Sequence, residues 1–411
     1  MKQTEIGLIP DDWEEKRLGD VGEPCMCKRI LKEQTSPTGD IPFYKIGTFG
    51  GIPDAYISRE LFEHYKQQYS YPKKGTLLLS AAGTIGRVVV FDGKDSYFQD
   101  SNIVWIENDE TQVTNDFLFY CYSRMQWKTE EGGIVSRLYN TNLKSTSFIS
   151  PKSIEEQQRI AKALSDVDAL ISTTEKLLQK KKNIKQGTMQ ELLTGKKRLP
   201  GFAKSNNTKM TELGEIPEDW EVKKIKDFAK VYDGTHQTPH YVEVGIPFYS
   251  VENVTANDFY HTKFISEEEH KLLTSKVRIE KGDILMTRIG SIGDCKYVDW
   301  EPNASFYVSL ALIKCDMSVD ARFISYYSHS LQFKEELERR SLVTAIPQKI
   351  NLGPISEIIL LLPSKEEQTA IANVLSSMDK EIETLNTKLE KYRNLKTAMM
   401  QQLLTGKIRL V

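Results

Sequence analysis

The sequence contains the same long helical pattern twice, once near its middle and once at its C-terminus. Residues 155–199 and 366–410 align without a gap at a constant offset of 211, and 23 of the 45 aligned residues are identical. About 38 helical residues at 1.5 Å each predict a rod of roughly 57 Å. A single rod with an exposed apolar seam is a poor monomer. We therefore expect the two helices to pack antiparallel as an intramolecular coiled coil; the alternative is that each seam meets a separate protein.

The apolar residues of both helices follow alternating steps of four and three, which is the heptad pattern of a helix with one apolar seam. In the second helix the seam comprises Ile371, Leu375, Met378, Ile382, Leu385, Leu389, Tyr392, Leu395, Met399 and Leu403. In the first helix it comprises Ile160, Leu164, Val167, Ile171, Leu178, Ile184 and Leu192, with polar gaps at Thr174 and Lys181. Both helices follow a proline and are predicted to end at a Thr-Gly pair.

The repeat extends into the regions that precede the helices. An Ile-Pro-x-x-Trp opening at 9–13 returns at 216–220, Ile-Pro-Phe-Tyr at 41–44 returns at 246–249, and a Gly-x-Ile-Gly sequence at 83–86 returns at 290–293. The chain therefore contains two copies of one unit, and each copy consists of a globular block followed by a long helix. We predict a first block at 1–152, a first helix at 153–199, a linker at 200–211, a second block at 212–363 and a second helix at 364–411.

Each globular block combines short apolar runs between glycine turns with stretches of helical character, and we predict a mixed α/β fold for both. The predicted strands are 76–79, 88–91, 284–286 and 310–313, and the predicted helices are 115–127 and 321–333. Two long polar segments, 22–40 and 233–245, are predicted to be long loops, and loops of this size without structure of their own are usually functional or disordered. The fold class is α+β, with two mixed α/β domains separated by a long antiparallel two-helix coiled coil and related by a pseudo-two-fold internal repeat.

The composition is typical of a protein of the cytoplasm. The hydrophobic fraction is 39%, and no run of 18 apolar residues predicts a membrane span. The N-terminal residues lack the apolar core of a secretion signal. Five cysteines, an odd and scattered number, predict reduced thiols. A net charge of −2 neither supports nor excludes a nucleic-acid partner, because a local basic surface suffices for binding.

A search for catalytic motifs finds no convincing site. The sequence Gly-Thr-Ile-Gly-Arg at 83–87 lacks the third glycine of a dinucleotide loop and the Gly-Lys-Ser/Thr of a P-loop, so we predict a turn between two strands. The acids within 10–16 resemble a nuclease pattern but are too close together to share a metal from two strand ends. His236 and His240 are separated by a proline that precludes a helix, and the cysteines at 25 and 27 lack zinc spacing. The chain is predicted not to be an enzyme and to hold no metal.

Loops in both blocks mix basic, aromatic and amide side chains, a combination that suits the edges of DNA bases. Taken one at a time, these residues are also explained as solvated loop side chains. The candidates in the first block are Lys28, Arg29, Lys45, Thr48, Arg87, Arg137, Tyr139 and Asn140. The candidates in the second block are Thr235, His236, Ser250, Glu252, Asn253, Arg288, Thr344, Gln348 and Lys349. Two unlike sets of loops on one duplicated frame predict two different DNA-binding surfaces.

With these motifs the chain resembles the specificity subunit of a type I restriction–modification system over essentially its whole length. The resemblance is carried by the paired Ile-Pro-x-x-Trp openings, the Ile-Pro-Phe-Tyr segments, the Lys-Gly-Asp-Ile-Leu strand at 281–285, the Pro-Ser-Lys-Glu-Glu-Gln start at 363–368 and the Leu-Leu-Thr-Gly-Lys end of both helices. The first helix departs slightly, since one extra residue separates Pro151 from the Glu-Glu-Gln sequence. This difference affects only how the chain enters the helix.

The resemblance implies a subunit that reads a bipartite, asymmetric target in double-stranded DNA, one part with each block, while the helices set the spacing and dock partner proteins. The implied partners are two methylation subunits and two restriction subunits, and no membrane is involved. S-adenosylmethionine, ATP and Mg would belong to those partners, with no cofactor in this chain. Two alternatives stay open, the recognition subunit of a related combined cleavage–methylation enzyme and a DNA methyltransferase in its own right.

Overall fold

A computed structural model of the chain describes residues 1–127, 137–203, 205–342 and 346–410. Its contacts divide into two compact units. The first unit comprises Met1–Glu175 together with the residues from Thr387 onward, and the second comprises Lys176–Asn386. Each unit therefore joins one globular block to part of each long helix. The sequence instead predicts five segments, in which the blocks are separated from the helices. The boundaries of those five segments stay a prediction.

The first block is built on a four-stranded antiparallel sheet in the order β4-β10-β7-β8, beside a smaller sheet in the order β6-β5-β9. A buried aromatic and aliphatic core lies on each sheet. The elements, ending with the first long helix, are β1 Lys2–Gln3, β2 Leu8–Ile9, β3 Trp13–Arg17, α1 Leu18–Val21, β4 Gly22–Met26, β5 Ile41–Tyr44, β6 Tyr56–Ile57, α2 Arg59–Gln68, β7 Leu77–Ser80, β8 Val88–Val90, β9 Tyr97–Phe98, β10 Ile103–Asn108, α3 Asn115–Tyr122, α4 Asn140–Ser145, β11 Ser147–Pro151 and α5 Ile154–Leu192.

The second block repeats this architecture with the sheet order β15-β22-β19-β20 and a second sheet in the order β16-β18-β17-β21. The elements, ending with the second long helix, are β12 Thr208–Thr211, β13 Gly214–Pro217, β14 Glu221–Lys224, β15 Ala229–Asp233, β16 Tyr241–Val242, β17 Ile246–Tyr249, α6 Val251–Ala256, β18 Lys263–Ile265, α7 Glu267–Leu273, β19 Ile284–Ile289, β20 Ser291–Tyr297, β21 Ser305–Phe306, β22 Leu310–Cys315, α8 Ala321–Tyr327, α9 Leu331–Arg340, α10 Leu352–Ser356, β23 Ile359–Leu362 and α11 Lys365–Leu403. The α+β class and the internal repeat are thereby confirmed.

The four predicted strands are present, but four other sequence predictions need correction. The predicted loop 233–245 contains the short strand β16, which pairs with β18. The segment 22–40 begins with a strand, β4, which lies at a sheet edge where Pro24 and its missing N–H are tolerated. The helix predicted at 115–127 ends at Tyr122. The helix predicted at 321–333 is two helices, because the Ser330 hydroxyl accepts a hydrogen bond from Phe333 N (3.2 Å) and begins a new one.

In each unit the two long helices run antiparallel, as the seam predicts. In the first unit Leu164 shares a core with Leu403, and Glu175, further along α5, pairs with Arg393, earlier in α11 (2.8 Å). In the second unit the end of α5 packs on the start of α11, and Lys185 pairs with Asp379 (2.5 Å). No helix among the described residues is both long enough and apolar enough to cross a membrane.

Two predicted seam residues lie outside the seam. Ile184 is 43% exposed and Leu395 is 45% exposed, so the heptad pattern extends beyond the packed face. Thr174, a polar gap in the pattern, is nevertheless buried. Its hydroxyl tolerates burial because it donates to Leu170 O (2.7 Å) and so needs no water as a partner. The other gap, Lys181, reaches Glu381 on the partner helix (2.6 Å).

The motifs at the helix ends are structural. Gly406, with φ of +68°, follows α11 in the left-handed region and lies so close to Pro10 that a Cβ there would be 2.7 Å from the ring. In the second unit Gly195 meets Pro217 in the same way. The Thr-Gly ends therefore pack on the Ile-Pro-x-x-Trp openings, which explains why both motifs occur twice.

The Glu-Glu-Gln starts of the helices are structural as well. Gln157 is fully buried, accepts a hydrogen bond from Thr114 N (2.9 Å) and donates to two backbone carbonyls. Gln368 accepts from Asp320 N (2.9 Å) in the second unit. Each glutamine thus fixes the start of a long helix to the N-terminus of a short helix of the same unit, α3 for Gln157 and α8 for Gln368.

Candidate nucleic-acid interface

The turn between β7 and β8 lies at the centre of the candidate surface of the first block. Gly83 and Gly86 have φ of +66° and +88°, which L side chains rarely adopt, and Ser80 O accepts from Gly86 N (3.1 Å). The predicted turn between two strands is confirmed. Just beyond it, the Arg87 Nη1 donates to Phe49 O (3.1 Å), which ties the turn to the loop after β5.

Arg137 is held against the neighbouring turn between β9 and β10. Its Nη2 donates to Asn102 Oδ1 (2.7 Å) and to Ser101 Oγ (3.2 Å). Ser101 has φ of +52°, a conformation that non-glycine residues adopt rarely and mostly in tight turns. The backbone of Arg137 pairs with Ala82, so that the guanidinium is placed by a strand-like contact rather than by a free loop.

Five of the predicted residues form one surface here, which we call the first cluster: Arg29, Lys45, Thr48, Arg87 and Arg137. Arg29 pairs with Asp100 (2.8 Å), in the same turn that holds Arg137. Lys45 pairs with Asp54 (2.8 Å). Four cations against two carboxylates leave the cluster positive, and guanidinium groups in this setting suit phosphate or the edge of guanine.

The remaining predicted residues of the first block lie apart from these contacts. The Lys28 Nζ lies 4.9 Å from the centre of the ring of Tyr69, the residue directly after helix α2. Tyr139 is 48% exposed and precedes α4, which begins at Asn140. Cys27 directly precedes Lys28 in the chain. Burial raises the pKa of Cys27 to about 12, so this thiol is protonated and inert at neutral pH.

The second block carries a different set of side chains at the corresponding place, which we call the second cluster: Asp233, Thr235, His236, Arg288 and Tyr307. The His236 Nε2 lies 2.6 Å from Asp233 Oδ2, and the Arg288 Nη1 lies 3.6 Å from the same oxygen. Thr235 bridges to Tyr307 through the backbone. His236 is exposed, whereas Arg288 is buried.

Ser250, Glu252 and Asn253 lie at the start of α6. Asn253 is 6% exposed, its Oδ1 accepts from Ser250 N (2.9 Å), and its amide donates to Asp258 O (2.9 Å). This side chain serves as a helix cap and has no free edge for a base. Ser250 provides the backbone of the same cap, while Glu252 is exposed and available.

The last segment of predicted residues runs beside the β19–β20 hairpin. Gln348 O accepts from Gly290 N (2.8 Å), and Lys349 bridges to Ile289, so both lie at the hairpin turn. Lys349 is exposed. The predicted Thr344 lies outside the described residues.

Sequence reasoning missed Asp100, Asn102 and Asp233, whose side chains lie against arginines of the two clusters. Asn102 precedes an apolar run and Asp233 ends one, and neither position carries a motif. Their partners are distant in the chain, so only tertiary pairing identifies them.

No group of three His, Cys, Asp or Glu side chains among the described residues is arranged to hold a metal ion. The acids within 10–16 do not converge on one point: Asp12 binds Arg409, whereas Glu14 pairs with Lys16.

Comparison with known families identifies two matching regions. The model for the type I restriction modification DNA specificity domain matches residues 10–186 and again 217–391. A putative type I restriction enzyme specificity subunit of Haemophilus influenzae is 62% identical over 156 residues, which is 38% of this chain and 40% of that protein. The putative type I restriction enzyme MjaX specificity subunit of Methanocaldococcus jannaschii is 28% identical over 99% of this chain and 96% of that protein.

Solved structures show the same fold. The S subunit of a type I restriction–modification system from M. genitalium has a TM-score of 0.62 at 15% identity, covering 98% of both chains. The agreement extends over both blocks and both helices, so it covers the whole duplicated architecture.

Proposed function

This chain belongs to the type I restriction modification DNA specificity family, and we propose that its two blocks read the two parts of one bipartite, asymmetric DNA target. The observation that carries this proposal is the contrast between the clusters. The two central sheets have the same strand order, yet the first cluster presents arginines and a lysine and the second presents an Asp–His–Arg group. Different donors and acceptors on one frame select different bases.

The chain itself is proposed to be non-catalytic. Methylation and cleavage would be carried out by two methylation subunits and two restriction subunits, which would also bind S-adenosylmethionine, ATP and Mg. Support comes from the full-length similarity to proteins named as specificity subunits. The same similarity favours this role over that of a recognition subunit in a combined cleavage–methylation enzyme.

The test is to sequence methylated adenines in cells that express the chain with its partner subunits. The expected result is one asymmetric motif with two specified parts and an unspecified spacer. A single continuous motif, or none, contradicts the proposal. Purified chain alone should show no methyl transfer from S-adenosylmethionine to DNA.

We further propose that the long helices set the length of the spacer. Inserting four residues after Gln186 lengthens the helix by ~6 Å and nearly preserves the phase of the seam. The expected motif keeps the specified bases and gains one or two spacer base pairs. An unchanged spacer refutes this role for the helices without affecting the assignment of the two blocks.

A further inference from the structure

The second cluster contains a buried arginine whose hydrogen bonds are incomplete. The Arg288 side chain is 8% exposed, and its Nε donates to Ile350 O (3.2 Å). Its Nη1 is buried, lies 3.6 Å from Asp233 Oδ2 and has no hydrogen-bond acceptor among the described residues. Burial lowers the pKa of Arg288, and Asp233 opposes that shift. A buried charge with unused donors destabilises a fold, so stability alone does not account for it.

The first block shows that the fold does not need this ion pair. The register of the central sheets places Met26 where the second block has Asp233. The backbone hydrogen bonds of Ala81, directly after β7, match those of Arg288 in β19, so Ala81 occupies the position that Arg288 has in the second block. An apolar pair therefore completes the same frame in the first block. The charged pair is a feature of the second block alone.

The backbone around Arg288 is shaped to direct its side chain. The register between β19 and β20 shifts between Met286 and Arg288, and such a bulge changes the direction of a side chain. The Thr287 hydroxyl accepts from Asp294 N (3.0 Å), which holds the bulge in place. Arg288 is thus aimed at Asp233 by the strand rather than by a flexible loop.

Asp233 is the member of the pair that reaches solvent. Its side chain is 33% exposed. The Asp233 Oδ2 atom lies within hydrogen-bond distance of the His236 Nε2 and also faces Arg288. The described residues form no hydrogen bond with Oδ1. The result is an oriented carboxylate with one free acceptor oxygen, at the surface where the exposed His236 lies.

We propose that Asp233 is a specificity-determining residue of the second block, that its Oδ1 accepts the exocyclic amine of a cytosine, and that Arg288 is the positioning residue that fixes the carboxylate. This rests on the proposed function of the two blocks. A carboxylate only accepts hydrogen bonds, and cytosine presents an amine in the major groove. Adenine is disfavoured because its N7 acceptor lies beside its amine and repels a carboxylate.

The test compares target motifs of variants in the complex with its partner subunits. In D233N the cytosine preference at one position of one part should fall roughly 5- to 150-fold, the range for losing one good base contact. R288A should do the same, and R288K should restore part of the preference. D233M/R288A, which copies the pair of the first block, should keep the wild-type melting temperature and lose the same preference. E267Q, at an exposed acid of helix α7 to which no base contact is assigned, is the control and should not reproduce this loss.

The outcomes separate the possibilities. If D233M/R288A assembles normally and its motif is unchanged, the proposal is overturned. If the motif of the wild type specifies no cytosine in the part that D233N alters, the proposal is equally wrong. If D233N weakens every position of both parts equally, Asp233 does not read a base. If the wild-type complex shows no bipartite motif, the proposed function of the two blocks is refuted. That outcome is distinguishable from failure of the proposed role of Asp233, in which the wild-type motif stays bipartite.

Discussion

The guanidinium of Arg409 lies against the carboxylate of Glu156, with Nε 2.6 Å from Oε1 and Nη2 2.8 Å from Oε2. The Glu156 side chain is 3% exposed, and Asp12 accepts further hydrogen bonds from the same arginine. The residues beyond α11 thereby join the start of α5 to the opening of the first block. In the second unit Arg198 binds Glu367 and Asp219 in the same way.

Replacing Arg409 with alanine should destabilise the first unit by about 3 kcal/mol or more, because Glu156 is left buried without its partner. Urea unfolding of the purified chain measures the change. K407A, at an exposed lysine two residues earlier, is the matched control and should change stability by less than about 0.5 kcal/mol. Equal stability of R409A and K407A would show that the ion pair contributes nothing.

The difference between wild type and R409A should depend on pH. The hydrogen bond from Arg409 lowers the pKa of Asp12 from its ordinary value of 3.8. A lowered carboxyl pKa contributes stability above the ordinary pKa and loses it as the pH falls through the folded-state pKa. The gap in unfolding free energy should therefore be constant near neutrality and shrink below about pH 4. A gap that stays constant down to pH 3 contradicts this.

Replacing Gln157 with leucine should cost about 1–3 kcal/mol for each backbone group left unpaired. Thr114 N, Gln112 O and Pro151 O all lose their partner. Hydrogen exchange should show faster opening at the start of α3 and of α5. The equivalent change Q368L should speed exchange around Asp320 instead. Exchange that rises uniformly over the whole chain in either variant would rule out these local roles.

The packed seam can be tested with two leucines of one helix. Leu389 is 5% exposed, whereas Leu395 is 45% exposed. L389A should lose about 2–5 kcal/mol, as for other buried leucines. L395A should lose less than about 0.5 kcal/mol. Thermal unfolding of the two variants distinguishes them, and similar losses for both would place Leu395 in a buried contact.

Replacing Arg137 with methionine should alter only the part of the target that the first block reads. The guanidinium held by Asn102 and Ser101 is lost, at a cost of ~1–3 kcal/mol if it contacts a base. Methylated-adenine sequencing reports the motif, and binding at several salt concentrations reports phosphate contacts. Weaker binding to all sequences with a smaller salt dependence would identify Arg137 as a phosphate contact.

The sequence by itself determined the parts of this fold that depend on local periodicity and on special residues. The heptad pattern located both long helices. The glycines that follow them, Gly195 and Gly406, marked their ends because glycine readily adopts the left-handed conformation that often follows a helix. The internal repeat predicted that both blocks share one frame, and the central sheets with the same strand order confirm it.

Only the tertiary structure decided which side chains remain free to act. Asn253 looked like a base reader but is a buried cap, whereas Asp233 carried no motif and yet holds His236 and lies beside Arg288. Likewise the heptad pattern included Ile184 and Leu395, which are exposed. Burial and pairing arise from residues distant in the chain, so no local pattern contains that information.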